Sequence, residues 1–234
     1  MQKLKAHFKL KLGIGLIAFL CFFTASAQIG SFGVKFGLNT SNFAGEVLVS
    51  ESNDDTYRWT DRNNFGILVT YSKFDNLALT AEFNYVNKGS MFQSITQRNV
   101  LERNIRLSYL EVPIMAKRFF LTGEKVKPNV FTGPSINFLF VALEDINEKS
   151  LAGLEIRNID SYDISNLYNP IELSWVVGFG IHYPITKAYW ANLDFRFSGG
   201  ITDITDNDND AIGAEKVWTR QNTFTVNLAI TIPY

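Results

Sequence analysis

After residue 28 no segment holds a helical period; apolar side chains instead return at every second position, in runs separated by turn-forming residues. Eight strands follow from that period, near 31–43, 62–74, 77–89, 103–120, 128–141, 171–185, 188–200 and 219–233. Their connections alternate strictly in length. Phe74-Asp75-Asn76, Leu121 to Lys127 and Thr186-Lys187 are short, whereas those near 44–61, 90–102, 142–170 and 201–218 are long and polar. A closed outer-membrane barrel, with tight periplasmic turns and long external loops, has this asymmetry built in. The expected fold is all-β: an eight-stranded antiparallel transmembrane barrel, or ten strands if a hairpin lies within 142–170.

The two faces of each strand differ in kind. Tyr189, Ala191, Leu193, Phe195 and Phe197 share one side, against Asn192, Asp194, Arg196 and Ser198. Leu173, Trp175, Val177, Phe179, Ile181 and Tyr183 stand against Glu172, Ser174, Gly178, Gly180 and His182. A lipocalin-type soluble barrel has the same period with the apolar side inward. Here the polar side is rich in small residues (Gly33, Gly37, Gly66, Ser72, Asn84, Gly133), which suit a narrow lumen better than a solvent face. Phe74, Phe119, Phe120, Tyr183, Tyr189 and Trp190 cluster at strand ends, as interfacial girdles do. Val226, Leu228, Ile230, Ile232 and Tyr234 form one outward row ending in an aromatic, which resembles the C-terminal signal read by the barrel assembly machinery.

The first 27 residues read as a cleaved signal peptide, leaving 28–234 as the barrel domain. Lys3, Lys5, Lys9 and Lys11 precede the short apolar run Leu12 to Phe23 and the small-x-small triplet Ala25-Ser26-Ala27. A lipoprotein reading would use Cys21, but Leu20 stands where a small residue is needed. Processing takes four of the 22 basic residues and none of the 23 acidic ones, so the mature charge is 18 − 23 = −5. It also removes Cys21, the one cysteine, so neither a disulfide framework nor thiol chemistry is expected. No basic surplus points to nucleic acid.

Several stretches resemble PorT-like outer-membrane β-barrel proteins of the Bacteroidota. They are Gly33-Val34-Lys35-Phe36-Gly37-Leu38-Asn39, Tyr109-Leu110-Glu111-Val112-Pro113-Ile114 with Lys117, Lys127-Pro128 and Gly133-Pro134. Gly178-Phe179-Gly180, Leu193-Asp194-Phe195-Arg196 and Gly200-Ile201-Thr202-Asp203-Ile204 complete the likeness, which spans nearly all of 29–234. It implies the barrel fold and a Gram-negative outer membrane of Bacteroidota type. The namesake is implicated in type IX secretion, but the family label is far broader than that role.

Lys35, Glu82, Glu111, Asp194 and Arg196 fall at middling depth on the polar face. An eight-stranded lumen is just wide enough for side chains to fill, so these charges are expected to cross-pair and plug it rather than line an ion path. Glu111 is expected to pair with Arg196 or Lys35. Pro113 lacks a ladder donor and predicts a bulge or distorted ladder near Pro134. His182, alone after processing, lies at the periplasmic end without a serine or second histidine, which argues against catalysis. Asp206, Asp208 and Asp210 alternate as the first ligands of a calcium loop do, making them weak metal candidates. Ala211 and Val217 stand where an EF-hand needs Gly and Glu, so a solvated acidic loop is the expectation.

The expected function is therefore non-enzymatic: a structural or adhesive barrel, or a component of an envelope or secretion assembly, without cofactor. A lipid-modifying barrel enzyme and a small passive pore are the alternatives. The expected partners are outer-membrane lipids and lipopolysaccharide, the barrel assembly machinery during biogenesis, and an envelope protein met through the loops.

Overall fold

The computed structural model describes residues 29–45, 56–74, 76–95, 99–120, 125–205 and 218–234. Ten strands occur among them: β1 (Ile29–Gly45), β2 (Thr56–Arg58), β3 (Thr60–Phe74), β4 (Leu77–Ile95), β5 (Asn99–Phe119), β6 (Lys127–Ser150), β7 (Glu155–Asp163), β8 (Ile171–Pro184), β9 (Trp190–Gly200) and β10 (Thr219–Pro233). Eight of them close a ring in the order β1-β3-β4-β5-β6-β8-β9-β10, and β10 returns to β1. All pairs are antiparallel, so no barrel strand has an open edge over the shared length. The first and last strands pair from Ser31 with Pro233 to Gly45 with Thr219.

The other two strands lie outside the ring. β7 pairs with the outer half of β6, above the segment that β8 takes. With that half of β6 it forms the hairpin considered within 142–170, and together with β2 it brings the count to ten without widening the wall. β2 adds three residues to the outer part of β4. Residues 90–102 and 142–150 are loop by the sequence reading, yet β4, β5 and β6 run on through most of them as a ribbon. Continued pairing satisfies their backbone groups, and polar pairs support it: Gln93 Nε2 donates to Glu102 at 3.2 Å and Asn99 Nδ2 to Glu148 at 2.9 Å.

The distribution of polarity is inverted relative to a soluble barrel. On β1, Phe32, Val34, Phe36 and Leu38 are half or more exposed, while Lys35 and Asn39 between them are buried. The same holds around the ring, with Trp175, Phe179, Phe224, Val226, Leu228 and Ile230 outside and Glu172, Ser174, Thr223 and Asn227 inside. Only a lipid solvent makes such a wall stable, because the closed ladder satisfies most of the spanning backbone groups and the apolar row needs no water.

Two glycines serve the lumen directly. A Cβ on Gly178 would collide with the ring of Phe131, and one on Gly200 would stand 3.1 Å from Glu172 Oε1. Pro113 acts on the ladder as its chemistry requires. Pairing to β4 passes from Ala81–Ile114 to Asn84–Glu111, omitting Val112 and Pro113. On the other side it omits Ile114 and Met115, opposite Pro134 and Gly133. The register shift itself lies higher, between Ser108 and Tyr109.

Candidate functional site

The middle of the lumen is filled with charge. Glu82, on β4, receives Lys35 Nζ from β1 at 2.5 Å and both terminal nitrogens of Arg196, on β9, at 2.9 and 3.2 Å. Asn84 Nδ2 donates to the same carboxylate at 3.0 Å. Arg196 also approaches Asp194 at 3.6 Å, and Lys117 approaches Asp194 at 3.7 Å. A fork-shaped guanidinium on a carboxylate is the strongest geometry such a pair can take. All five of these charged groups are buried.

Four of the five expected lumen charges, Lys35, Glu82, Asp194 and Arg196, thus form one connected network. Glu111 stands apart from it. Its expected partners were Arg196 and Lys35, but its carboxylate meets Lys88 Nζ at 2.7 Å. The reason is register: Glu111 pairs with Asn84 on β4, and Lys88 sits four residues further along the same inward row. Lys88, Lys117 and Glu172 complete the buried charges at mid-lumen, and alternation alone marks all three, since each shares parity with an inward neighbour.

Glu172 has no cation at contact distance among the described residues. Asn137 Nδ2 donates to its Oε2 at 3.2 Å, while its Oε1 has no partner there. Unpartnered buried atoms recur on the inner row of β10, at Thr219, Gln221, Thr223 and Asn227. Buried polar groups without a protein partner are ordinarily satisfied by ordered water.

Apolar and aromatic side chains gather at both ends of the lumen. At the outer end Phe43, Ile105, Leu107, Tyr109 and Ala142 pack with Ile164, Tyr168 and Ile204, which the β7–β8 and β9–β10 connections carry inward. Asn169 pins the two connections together, donating to the carbonyls of Asp203 at 3.1 Å and Thr205 at 2.8 Å. Burial pushes the Tyr168 phenol well above the usual tyrosine range.

At the periplasmic end His182 lies between two rings, with centroids 5.7 Å away at Phe119 and 4.5 Å away at Trp190. Phe119 and Trp190 were expected in the outer girdle. Their parity with Lys117 and Asn192 turns them inward, and they cap the lumen instead. Phe120, Tyr183 and Tyr189 do face out; the side chain of Phe74 lies outside the described residues. His182 is buried in this cap, hydrogen-bonded with the Asn192 side chain and with Nε2 unpartnered among the described residues. Residues 1–27, expected to be a signal peptide, and Asp206, Asp208 and Asp210 also lie outside the described residues. Among the described residues no three metal-ligating side chains converge.

Comparison with known proteins returns the same architecture. The structure of OprG from Pseudomonas aeruginosa superposes with a TM-score of 0.50 and 10% identity, over 88% of this chain and 97% of that one. Neisserial surface protein A gives 0.44 at 12% identity, over 85% and 95% of the two chains. The outer-membrane protease OmpT from Escherichia coli gives 0.47 at 10%, over 91% and 99%. At 10% identity the OprG likeness speaks for the fold alone. No curated protein gives a match. A family model matches residues 26–206, most of the chain, and the protein belongs to that family, described as the outer membrane protein beta-barrel domain.

Proposed function

We propose that this protein is a non-catalytic outer-membrane barrel that works by what it displays rather than by what it passes or converts. The observation that carries the reading is the lumen, filled with paired charges at mid-depth and capped at both ends. An eight-stranded wall leaves no bore beyond its side chains. The outward ribbon of β4 to β7 is then the displayed element, offering a structural or adhesive surface to an envelope protein. Lipopolysaccharide is the surrounding lipid, and the outward row ending at Tyr234 serves the assembly machinery during insertion.

The likeness of Gly33 to Asn39 and Tyr109 to Ile114 to PorT-like proteins extends the proposal to a Bacteroidota-type envelope, with a place in type IX secretion as its narrowest form. The test is conductance of the refolded protein in planar bilayers. No ohmic steps are expected, and a steady open conductance would overturn the plugged-lumen reading. Lipid-modifying activity lost on His182→Ala would overturn the non-catalytic one.

A further inference from the structure

The periplasmic rim combines cations and apolar groups over one arc of the ring. Arg118 ends β5, Lys125 and Lys127 lead into β6, and Lys187 lies in the β8–β9 turn. These elements are contiguous: Phe119 pairs with Asn129, Lys127 with His182, and Pro184 with Trp190. Arg118, Lys125 and Lys187 are exposed and Lys127 is partly so, and none forms an ion pair with a described residue. The sequence joining strands at this end adds Lys73, Asp75 and Glu124, so basic residues outnumber acidic ones five to two.

Apolar groups interleave with these cations. Phe120, Val126, Ile185, Tyr183 and Tyr189 are all at least two-fifths exposed. The Arg118 guanidinium lies 5.8 Å from the outward Phe120 ring, while the partly exposed Lys127 stands at the lumen mouth, its Nζ 5.8 Å from the Trp190 ring of the cap. Rings and aliphatic side chains at this level belong in the headgroup–acyl boundary. The cations among them stand at the depth of phosphate groups, about one Debye length or less from any anionic lipid beside them.

We infer that this arc is a binding surface for anionic glycerophospholipid headgroups of the inner leaflet, held by Arg118, Lys125 and Lys187, with Lys127 adding its charge from the lumen mouth beside them. Peptidoglycan is the other polyanion on that side, but it lies away from the bilayer and would leave the interleaved Val126, Ile185 and Phe120 without partners. The inference needs the membrane orientation of the barrel but not the plugged lumen or the absence of catalysis.

The test is electron spin resonance of spin-labelled lipids around the protein refolded in phosphatidylcholine vesicles. Spin-labelled phosphatidylglycerol should associate about threefold more strongly than its phosphatidylcholine counterpart, as a few screened ion pairs allow. Neutralising all four cations (Arg118→Gln, Lys125→Gln, Lys127→Gln, Lys187→Gln) should bring the ratio to about one, as should about 1 M salt. If that variant fails to fold, Arg118→Gln/Lys125→Gln and Lys127→Gln/Lys187→Gln should each lower the ratio by roughly half as much. Neutralising the outer-end Arg58 and Arg220 should leave it unchanged. Equal association of both lipids with the wild type would overturn the inference, as would a preference that survives removal of the four charges. So would co-sedimentation with purified peptidoglycan that depends on these cations without any lipid preference.

Discussion

Glu82→Gln is the substitution that most directly interrogates the lumen. The carboxylate offsets two buried cations, Lys35 at 2.5 Å and Arg196 through two contacts at 2.9 and 3.2 Å. Counting Asp194 and Lys117, the connected network holds three cations and two anions, a net +1. Gln at position 82 raises that to +2 and turns an amide donor toward one of the cations. Breaking a buried pair by removing one partner costs about 3–5 kcal/mol, because the remaining charge is left uncompensated. Adding Lys35→Met returns the network to +1 and leaves Arg196 with Asp194, so the double variant should regain at least half of the loss. Urea titration of the refolded barrel, followed by heat-modifiable gel migration and tryptophan fluorescence, measures both differences. A Glu82→Gln barrel within about 1 kcal/mol of wild type, or a double variant less stable than the single one, would refute the idea that the charges stabilise by mutual compensation.

Three further outcomes are expected. Lys88→Met strands Glu111, whose described ion pair is with Lys88 alone, and should cost about 3 kcal/mol in the same titration; Lys88→Met/Glu111→Gln should be milder. Gly178→Val drives a side chain into the ring of Phe131 and should cost about 1–3 kcal/mol, with Phe131→Ala relieving part of it. The raised Tyr168 phenol makes the outer cap pH-sensitive in one direction. An acid whose folded pKa is raised holds its full stabilisation below the unfolded value, and loses it as pH climbs through the folded one. Protease cleavage within 164–170 should therefore stay slow through neutral pH and accelerate above about pH 10, and Tyr168→Phe should weaken the acceleration.

Much of this architecture is readable from alternation, because in a closed barrel parity alone assigns each side chain to lipid or lumen. Tyr109, Glu111, Pro113, Met115 and Lys117 all sit inside as their spacing requires. The misplacements have physical causes. Residue type assigns Phe119 and Trp190 outward, although their parity already places them with Lys117 and Asn192. Lys88 is not recognisable in advance as the partner of Glu111, because cross-lumen neighbours depend on strand stagger, which a single strand's sequence does not carry. The ribbon beyond residue 90 resembles loop because its pairs are polar; with water around it, its strands need no apolar row to persist.

The bond between Glu82 and Arg196 joins residues 114 apart in sequence, on walls that meet only when the ring is complete. Lys35, on the first strand, joins the same carboxylate. Lys35 can reach Glu82 across β3 alone, but until β10 finds β1 the Arg196 fork has no carboxylate to meet from the opposite wall. The bidentate pair, and the full desolvation of Glu82 that goes with it, therefore arrive late, at closure. A barrel built this way has no half-finished form worth populating: it should snap shut in a single cooperative transition, and open in one when the seam is pulled apart.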